Sequence, residues 1–251
     1  LLERHVTGAT RAVLPVHLYG NPMDMTCLMD IARRNGLKVI EDCAQSLGAT
    51  WEGQKVGSFG DAGCLSFFPS KVLGACGDGG MVITNQGSIA DMVRALRSHG
   101  TTRKYYHEMP GINSRLDALQ AAVLRAKLRH LDGWITRRRK LAATYGRHFH
   151  NVEGINLLRQ TEGATHVYNY YTLMVRGGGD IRDALAAHLG ERGIATAVYY
   201  PGSLHLQPIY RGLGYEPGSL PVSEAAQDSV LSLPMYPELT DHQVEEVCQA
   251  I

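Results

Sequence analysis

Val39-Ile40-Glu41-Asp42-Cys43-Ala44-Gln45-Ser46 begins as an apolar run and closes on small and polar residues. Further along, Cys64-Leu65-Ser66-Phe67-Phe68 makes a second run. Pro69-Ser70-Lys71 follows it, and then a turn dense in glycine, Gly74-Ala75-Cys76-Gly77-Asp78-Gly79-Gly80. Short, continuous apolar runs separated by helical periodicity mark strands buried on both faces, hence a mostly parallel sheet between helices. Outward from this centre, Val13 to Leu18 reads as an earlier strand ending at the turn Gly20-Asn21-Pro22. Met25, Leu28, Met29 and Ala32 recur at helical spacing up to Asn35-Gly36. Met81 to Thr84 reads as another strand, and Ile89, Met92, Val93 and Leu96 as a helix ending near Gly100.

From Ser114 a long helical pattern begins, with Asp117 three residues on as part of its start signal and Gly133 as a break or kink. Beyond Gly163 the chain changes character. Tyr168 to Val175 reads as a strand, Ile181 to Leu189 as a helix and Ile194 to Val198 as a strand. A loop rich in proline and glycine and two further helices follow. The expectation is an α/β domain over 1–135 and a smaller C-terminal α+β domain over 136–251.

With 251 residues, 44% of them hydrophobic, the chain can build a substantial core. A net charge of +1 with dispersed basic residues argues against nucleic acid, and Arg137-Arg138-Arg139-Lys140 reads as a solvated helix face. Five scattered cysteines without C-x-x-C spacing suggest neither a disulfide framework nor zinc, which points to the reducing cytoplasm. No histidine pair at metal-ligand spacing is present, so no metal is expected. No apolar run approaches the length of a membrane span. The chain starts Leu1-Leu2-Glu3 and soon enters a strand, as the middle of a domain would, so it is expected to be a piece of a longer protein.

An acidic residue closing one strand and a lysine in the turn after another form the pairing that pyridoxal 5'-phosphate chemistry requires. A carboxylate keeps the pyridine nitrogen protonated, and an amine holds the aldehyde. Alone, Asp42 could be a helix cap or surface ion pair, Lys71 an exposed loop lysine, and the glycines an ordinary turn. Together, at strand ends of one sheet, Asp42 and Lys71 read as a site. The glycine cluster is neither a Walker loop nor a dinucleotide fingerprint, because Met81 opens a strand.

The blocks "PVHLYGNPMDM", "VIEDCAQSLGA", "GSFGDAGCLSFFPSKVLGACGDGGMVIT", "GINSRLDALQAAVLRAKL" and "YYPGSLHLQPIYRGLGYEPGSLPVSEAAQDSVLSLPMYPELT", in order along the chain, resemble the DegT family. These are nucleotide-sugar aminotransferases of the fold-type I pyridoxal-phosphate superfamily. The resemblance implies Lys71 as the Schiff-base lysine and Asp42 as the partner of the pyridine nitrogen. It places Gln45 near the phenolic oxygen, Ser66 on the cofactor phosphate, and Asn113 on a phosphate held by the neighbouring subunit of a homodimer with shared active sites. His17, Tyr200 and His205 are substrate-lining candidates, each with a structural alternative: core histidine, core tyrosine, loop-ordering histidine. A Gly-Thr phosphate-binding turn and a ring-stacking residue, upstream in family members, are not found in this chain.

The resemblance implies transfer of an amino group from an amino acid, glutamate as in the family, to a nucleotide-linked ketosugar for deoxyaminosugar or polysaccharide biosynthesis. Lysine rather than histidine at position 71 favours transamination over dehydration, and the version of the motif suggests sugar position 3. Alternatives are a cyclitol aminotransferase, an aminohydroxybenzoate-type synthase, or a non-catalytic module that keeps the fold.

Overall fold

The computed structural model describes residues 2–251. In chain order its elements are β1 (Ala12–Val13), α1 (Met25–Arg34), β2 (Lys38–Asp42), β3 (Thr50–Trp51), β4 (Gln54–Lys55) and β5 (Ala62–Ser66). Then come β6 (Gly80–Ile83), α2 (Gly87–Leu96), β7 (Thr101–Arg103), β8 (Tyr106–His107), α3 (Ala118–Leu128) and α4 (Leu131–Phe149). The last are β9 (Ile155–Leu157), β10 (Ala164–Thr165), β11 (Tyr171–Val175), α5 (Gly179–Glu191), α6 (Pro221–Ser229), β12 (Val230–Leu233) and α7 (Asp241–Gln249). They form two compact units: residues up to Thr136 with Gln160–Asn169, and Arg137–Arg159 with Tyr170–Ile251. Among the described residues no helix is long and apolar enough to cross a membrane.

The first unit is built on a sheet of order β1-β2-β5-β6. β1 and β5 both run parallel to β2, and β6 returns antiparallel to β5. The alternation in β2 explains the layering: Val39 and Glu41 are buried while Lys38 is exposed. α1 begins where Asp24 accepts from the Cys27 N–H at 2.8 Å and buries Met25, Leu28, Ile31 and Ala32. The strand expected over Val13 to Leu18 is shorter. Pro15 has no N–H to give and serves only as the acceptor for Asp42, after which the chain turns through a short 3-10 helix at Leu18–Gly20.

The long helical pattern after Ser114 divides at Arg129–His130, not at Gly133. Asp117 caps α3 by accepting from the Leu119 N–H at 2.8 Å, and Gly133 sits in open space inside the first turns of α4.

The second unit holds an antiparallel sheet of order β12-β11-β9, with Leu173 facing Leu231 on one side and Leu157 on the other. Every residue of β12 is buried. The segment expected as a strand over Ile194 to Val198 makes a single bridge, Ala197 to Ser232, with both mutual backbone hydrogen bonds. Tyr145 donates its hydroxyl to Pro234 O at 3.0 Å, and Arg138 donates to Met235 O at 2.8 Å. Burial lowers the Arg138 guanidinium to about 10, opposed by the charge of Glu238.

Candidate active site

Asp42 ends β2, and its backbone is held on both sides. Its N–H donates to Pro15 O at 2.8 Å, its carbonyl accepts from His17 N–H at 3.1 Å, and the next amide, Cys43, donates to Cys64 O at 2.9 Å. In the β2–β5 register Asp42 lies opposite Cys64. Side chains paired across parallel strands share a face, and residues two apart share it too, so Asp42, Cys64 and Ser66 stand on one face at the carboxyl end of the sheet. From the strand geometry Ser66 is displaced from Asp42 by roughly 4.8 Å across and about 6.6 Å along. The carboxylate Oδ1 accepts from the Ala44 N–H at 2.9 Å, which fixes its rotation and leaves Oδ2 as its spare acceptor among the described residues. Burial, and then the charge of Asp42, raises the Cys64 thiol, a sign that this carboxylate acts on the same small volume.

Lys71 occupies a turn folded back on itself. Phe67 N–H donates to Gly79 O and Ala75 N–H to Phe67 O, both at 2.8 Å, while Lys71 N–H donates to Phe68 O at 2.9 Å. Phe67, Val72 and Leu73 are buried and anchor the turn, leaving Lys71 half-buried between them. Ser66 Oγ accepts from the Phe68 N–H at 3.3 Å. A carboxylate and a hydroxyl thus stand at the same end of adjacent strands, where ligands of α/β sheets gather, and the turn that carries Lys71 leaves that end.

Glu41, the neighbour of Asp42, points to the other face and is fully buried. Its Oε2 accepts from Gly57 N–H at 2.6 Å and from His17 Nε2 at 3.2 Å, and its Oε1 from Phe59 and Gly60 N–H, both at 2.8 Å. Burial pushes its carboxyl up, but His17 and the three amides outweigh that and hold it below the usual range. His17 also accepts from Met23 N–H through Nδ1 at 3.3 Å, so the ring hydrogen resides on Nε2 and is donated to Glu41. His17, Glu41 and Cys43 bring their polar atoms within 4.8 Å of one another. The carboxylate already holds four donors there, and burial followed by the charge of Glu41 pushes the Cys43 thiol up to about 12. The cluster is an internal brace.

The remaining candidates divide. Gln45 is buried beneath the β2 end and accepts from Tyr19 N–H through Oε1. Asn113 is exposed, its backbone bridged to Ser98. His17 is fully buried with both ring nitrogens engaged, the geometry of a core histidine. In the second unit Tyr200 is exposed, edge-on to Tyr199. His205 is buried and meets Glu224 Oε1 through Nε2 at 3.0 Å, a contact that orders its loop.

The motif reading missed Glu41, although a charged residue at an inward position of a buried strand signals bound partners. It also missed Gln120 and Lys127, polar residues on the helix face that carries Leu124.

The family model described as the DegT/DnrJ/EryC1/StrS aminotransferase family matches residues 1–251. A "Pleiotropic regulatory protein" of Geobacillus stearothermophilus is 49% identical over the whole chain, which covers 67% of that protein. The dTDP-3-amino-3,4,6-trideoxy-alpha-D-glucose transaminase of Streptomyces venezuelae is 43% identical, again over the whole chain and 65% of its own length. Among solved structures, S. venezuelae DesV in complex with a ketimine intermediate superimposes with a TM-score of 0.95 at 44% identity, covering all of this chain and 66% of that one. The chain therefore spans about two thirds of the length of these relatives.

Proposed function

The chain belongs to the DegT/DnrJ/EryC1/StrS aminotransferase family, and from that premise we propose that the protein is a transaminase using pyridoxal 5'-phosphate. It moves an amino group from an amino acid, with glutamate as donor, to position 3 of a ketosugar linked to a nucleotide. The transaminase name of the Streptomyces relative supports the substrate class. The observation that carries the reading is the register placing Asp42 and Ser66 on one face, with Lys71 in the turn that follows.

The residues present fit the cofactor by their donor and acceptor chemistry. Asp42 offers its Oδ2, which holds no partner among the described residues, and Ser66 a hydroxyl, at one end of adjacent strands, with the primary amine of Lys71 on the turn that follows. When bound, pyridoxal 5'-phosphate supplies an aldehyde that exchanges between amines and a ring that stores an electron pair. Asp42 would hold the ring nitrogen through its second carboxylate oxygen and would sustain positive charge there. Ser66 Oγ would donate to the phosphate, and Gln45 would lie near the phenolic oxygen. Asn113, exposed at the surface, serves the site of a second copy, which makes the working unit a homodimer. Lys71 Nζ would hold the aldehyde and, as a primary amine at that position, would serve as the base and acid that moves the proton of the amino donor.

The test is reduction with borohydride after adding pyridoxal 5'-phosphate, followed by peptide mapping, and turnover with glutamate and nucleotide-linked 3-ketosugars. Lys71 should carry the label. Lys71→Ala should lose both label and turnover, the latter by at least about 10²-fold. Label on another lysine, or turnover retained in Lys71→Ala, overturns the assignment. Label without turnover on any sugar or cyclitol ketone would favour a non-catalytic role.

A further inference from the structure

α3 faces the chain that follows Lys71 with Gln120, Leu124 and Lys127, spaced four and three apart on one helical face. Gln120 Oε1 accepts from the Cys76 N–H at 2.8 Å. Lys127 Nζ donates to Gly74 O, and its ammonium lies 6.0 Å from the Trp134 ring centroid. Leu124 is buried in the same core as Phe67, Val72 and Leu73. Leu116, just before the Asp117 cap, extends the contact: a Cβ at Gly79 would lie 3.2 Å from its Cδ1. At Gly77, with φ of 158°, a Cβ would lie 3.1 Å from Gln120 Nε2. Gly74 has no room for a side chain against Pro69 O. Gly77 therefore lets Gln120 of α3 approach the turn's backbone, Gly74 lets the turn fold tightly on Pro69, and two polar side chains from the helix seize the turn at Gly74 and Cys76.

We propose that Gln120 and Lys127 are positioning residues that fix the 71–77 turn and thereby hold the Lys71 amine at the reacting carbon, an inference that rests on the reading of Lys71 given above. The turn's own closure ends at Ala75, so among the described residues the Phe67–Gly79 backbone bond is what holds its second half without the helix. An amine displaced by about 1 Å from its reacting atom loses about 10²-fold in rate.

The experiment compares Lys127→Met, Lys127→Arg and Gln120→Leu with the unaltered protein, all loaded with pyridoxal 5'-phosphate. Hydrogen exchange should quicken across residues 72–76 in Lys127→Met and Gln120→Leu, with exchange in β2 and β5 unchanged. Borohydride labelling of Lys71 should slow by about 10-fold, and kcat should fall by about 10- to 10²-fold with little change in KM for the amino donor. Lys127→Arg, which keeps a cationic donor, should recover most of the loss. Unchanged exchange at 72–76, or loosened exchange with labelling rate and kcat intact, overturns the inference. So does a general loss of stability with kcat and KM changing together. Should Lys127→Met not fold, Gln120→Leu decides alone by the same measures. Absence of label on Lys71 in the unaltered protein would instead overturn the parent reading, while exchange in the cofactor-free chain still reports whether α3 holds the turn.

Discussion

Two glutamates in this molecule use one device at different depths. In the first unit Glu41 gathers the N–H groups of Gly57, Phe59 and Gly60 and the Nε2 of His17. In the second, Glu224 gathers the N–H groups of Gly218 and Leu220 and the Nε2 of His205. Both carboxyls lie below their ordinary range. At Glu41 the bonds must first overcome burial; at Glu224 the Gly218 and Leu220 amides act with little burial against them. Depth decides what each is worth. A fully buried carboxylate has no water to replace a lost donor, and its donors have none to replace a lost acceptor. Near the surface, solvent stands in for either partner. Glu41 braces the strand that ends in Asp42, whereas Glu224 ties a loop to the start of α6.

Glu41→Ala should therefore have the largest effect. It strands three amides and a ring N–H in a dry place, and a loss on the order of 4 kcal/mol follows from about 1–3 kcal/mol per orphaned donor, allowing for relaxation. The urea midpoint measures it. A loss under about 1 kcal/mol would put the two glutamates on equal footing and break the comparison.

His166 sharpens it by removing the carboxylate and keeping the burial. Its Nδ1 accepts from the Tyr168 N–H at 2.8 Å and its ring stacks on Tyr168 at 3.8 Å. Burial alone lowers its pKa from 6.5 to about 3. The sign follows from linkage. The folded state keeps the ring neutral, while the unfolded chain takes up a proton below its ordinary pKa. The contribution is complete above about 6.5 and is lost progressively as pH falls toward about 3. Between about pH 7 and about pH 4.5 the loss should be about 2–3 kcal/mol. His166→Phe should flatten that slope in urea unfolding followed against pH, and an unchanged slope would assign the acid sensitivity elsewhere.

How far these features could be read from sequence depends on the range of the contacts that make them. The β2 end at Asp42 and the Lys71 turn are local, and each was legible in a few consecutive residues. Helix α3 begins a turn beyond the expected start at Ser114, because Asp117 itself is the cap and bonds a neighbour two residues away. The brace at Glu41 was not legible, since its amides come from Gly57 to Gly60, beyond an intervening pair of strands. Lys127 reaches Gly74 across 53 residues of sequence, and no periodicity announces such a bond. β12 escaped notice because it follows α6 without a turn residue between Ser229 and Val230, so its apolar run merged with the helical pattern. The antiparallel return of β6 was hidden too, because an apolar run gives no sign of its direction.

The smallest effect belongs to Glu224→Ala. Its partners Gly218 and Leu220 lie in an exposed segment, so water can take over as acceptor once the carboxylate is gone. His205 is different: it is buried and packs edge-on against Tyr215, and that packing persists without the carboxylate. The loop should therefore loosen locally. Amides of residues 218–220 should exchange roughly 3- to 10-fold faster, while β11, at the centre of its sheet, and the fully buried β12 keep their protection. Hydrogen exchange read by mass spectrometry separates these segments. Loss of protection in β11 and β12 as well would mean that Glu224 braces the second unit as Glu41 braces the first, and depth would no longer be the variable that separates them.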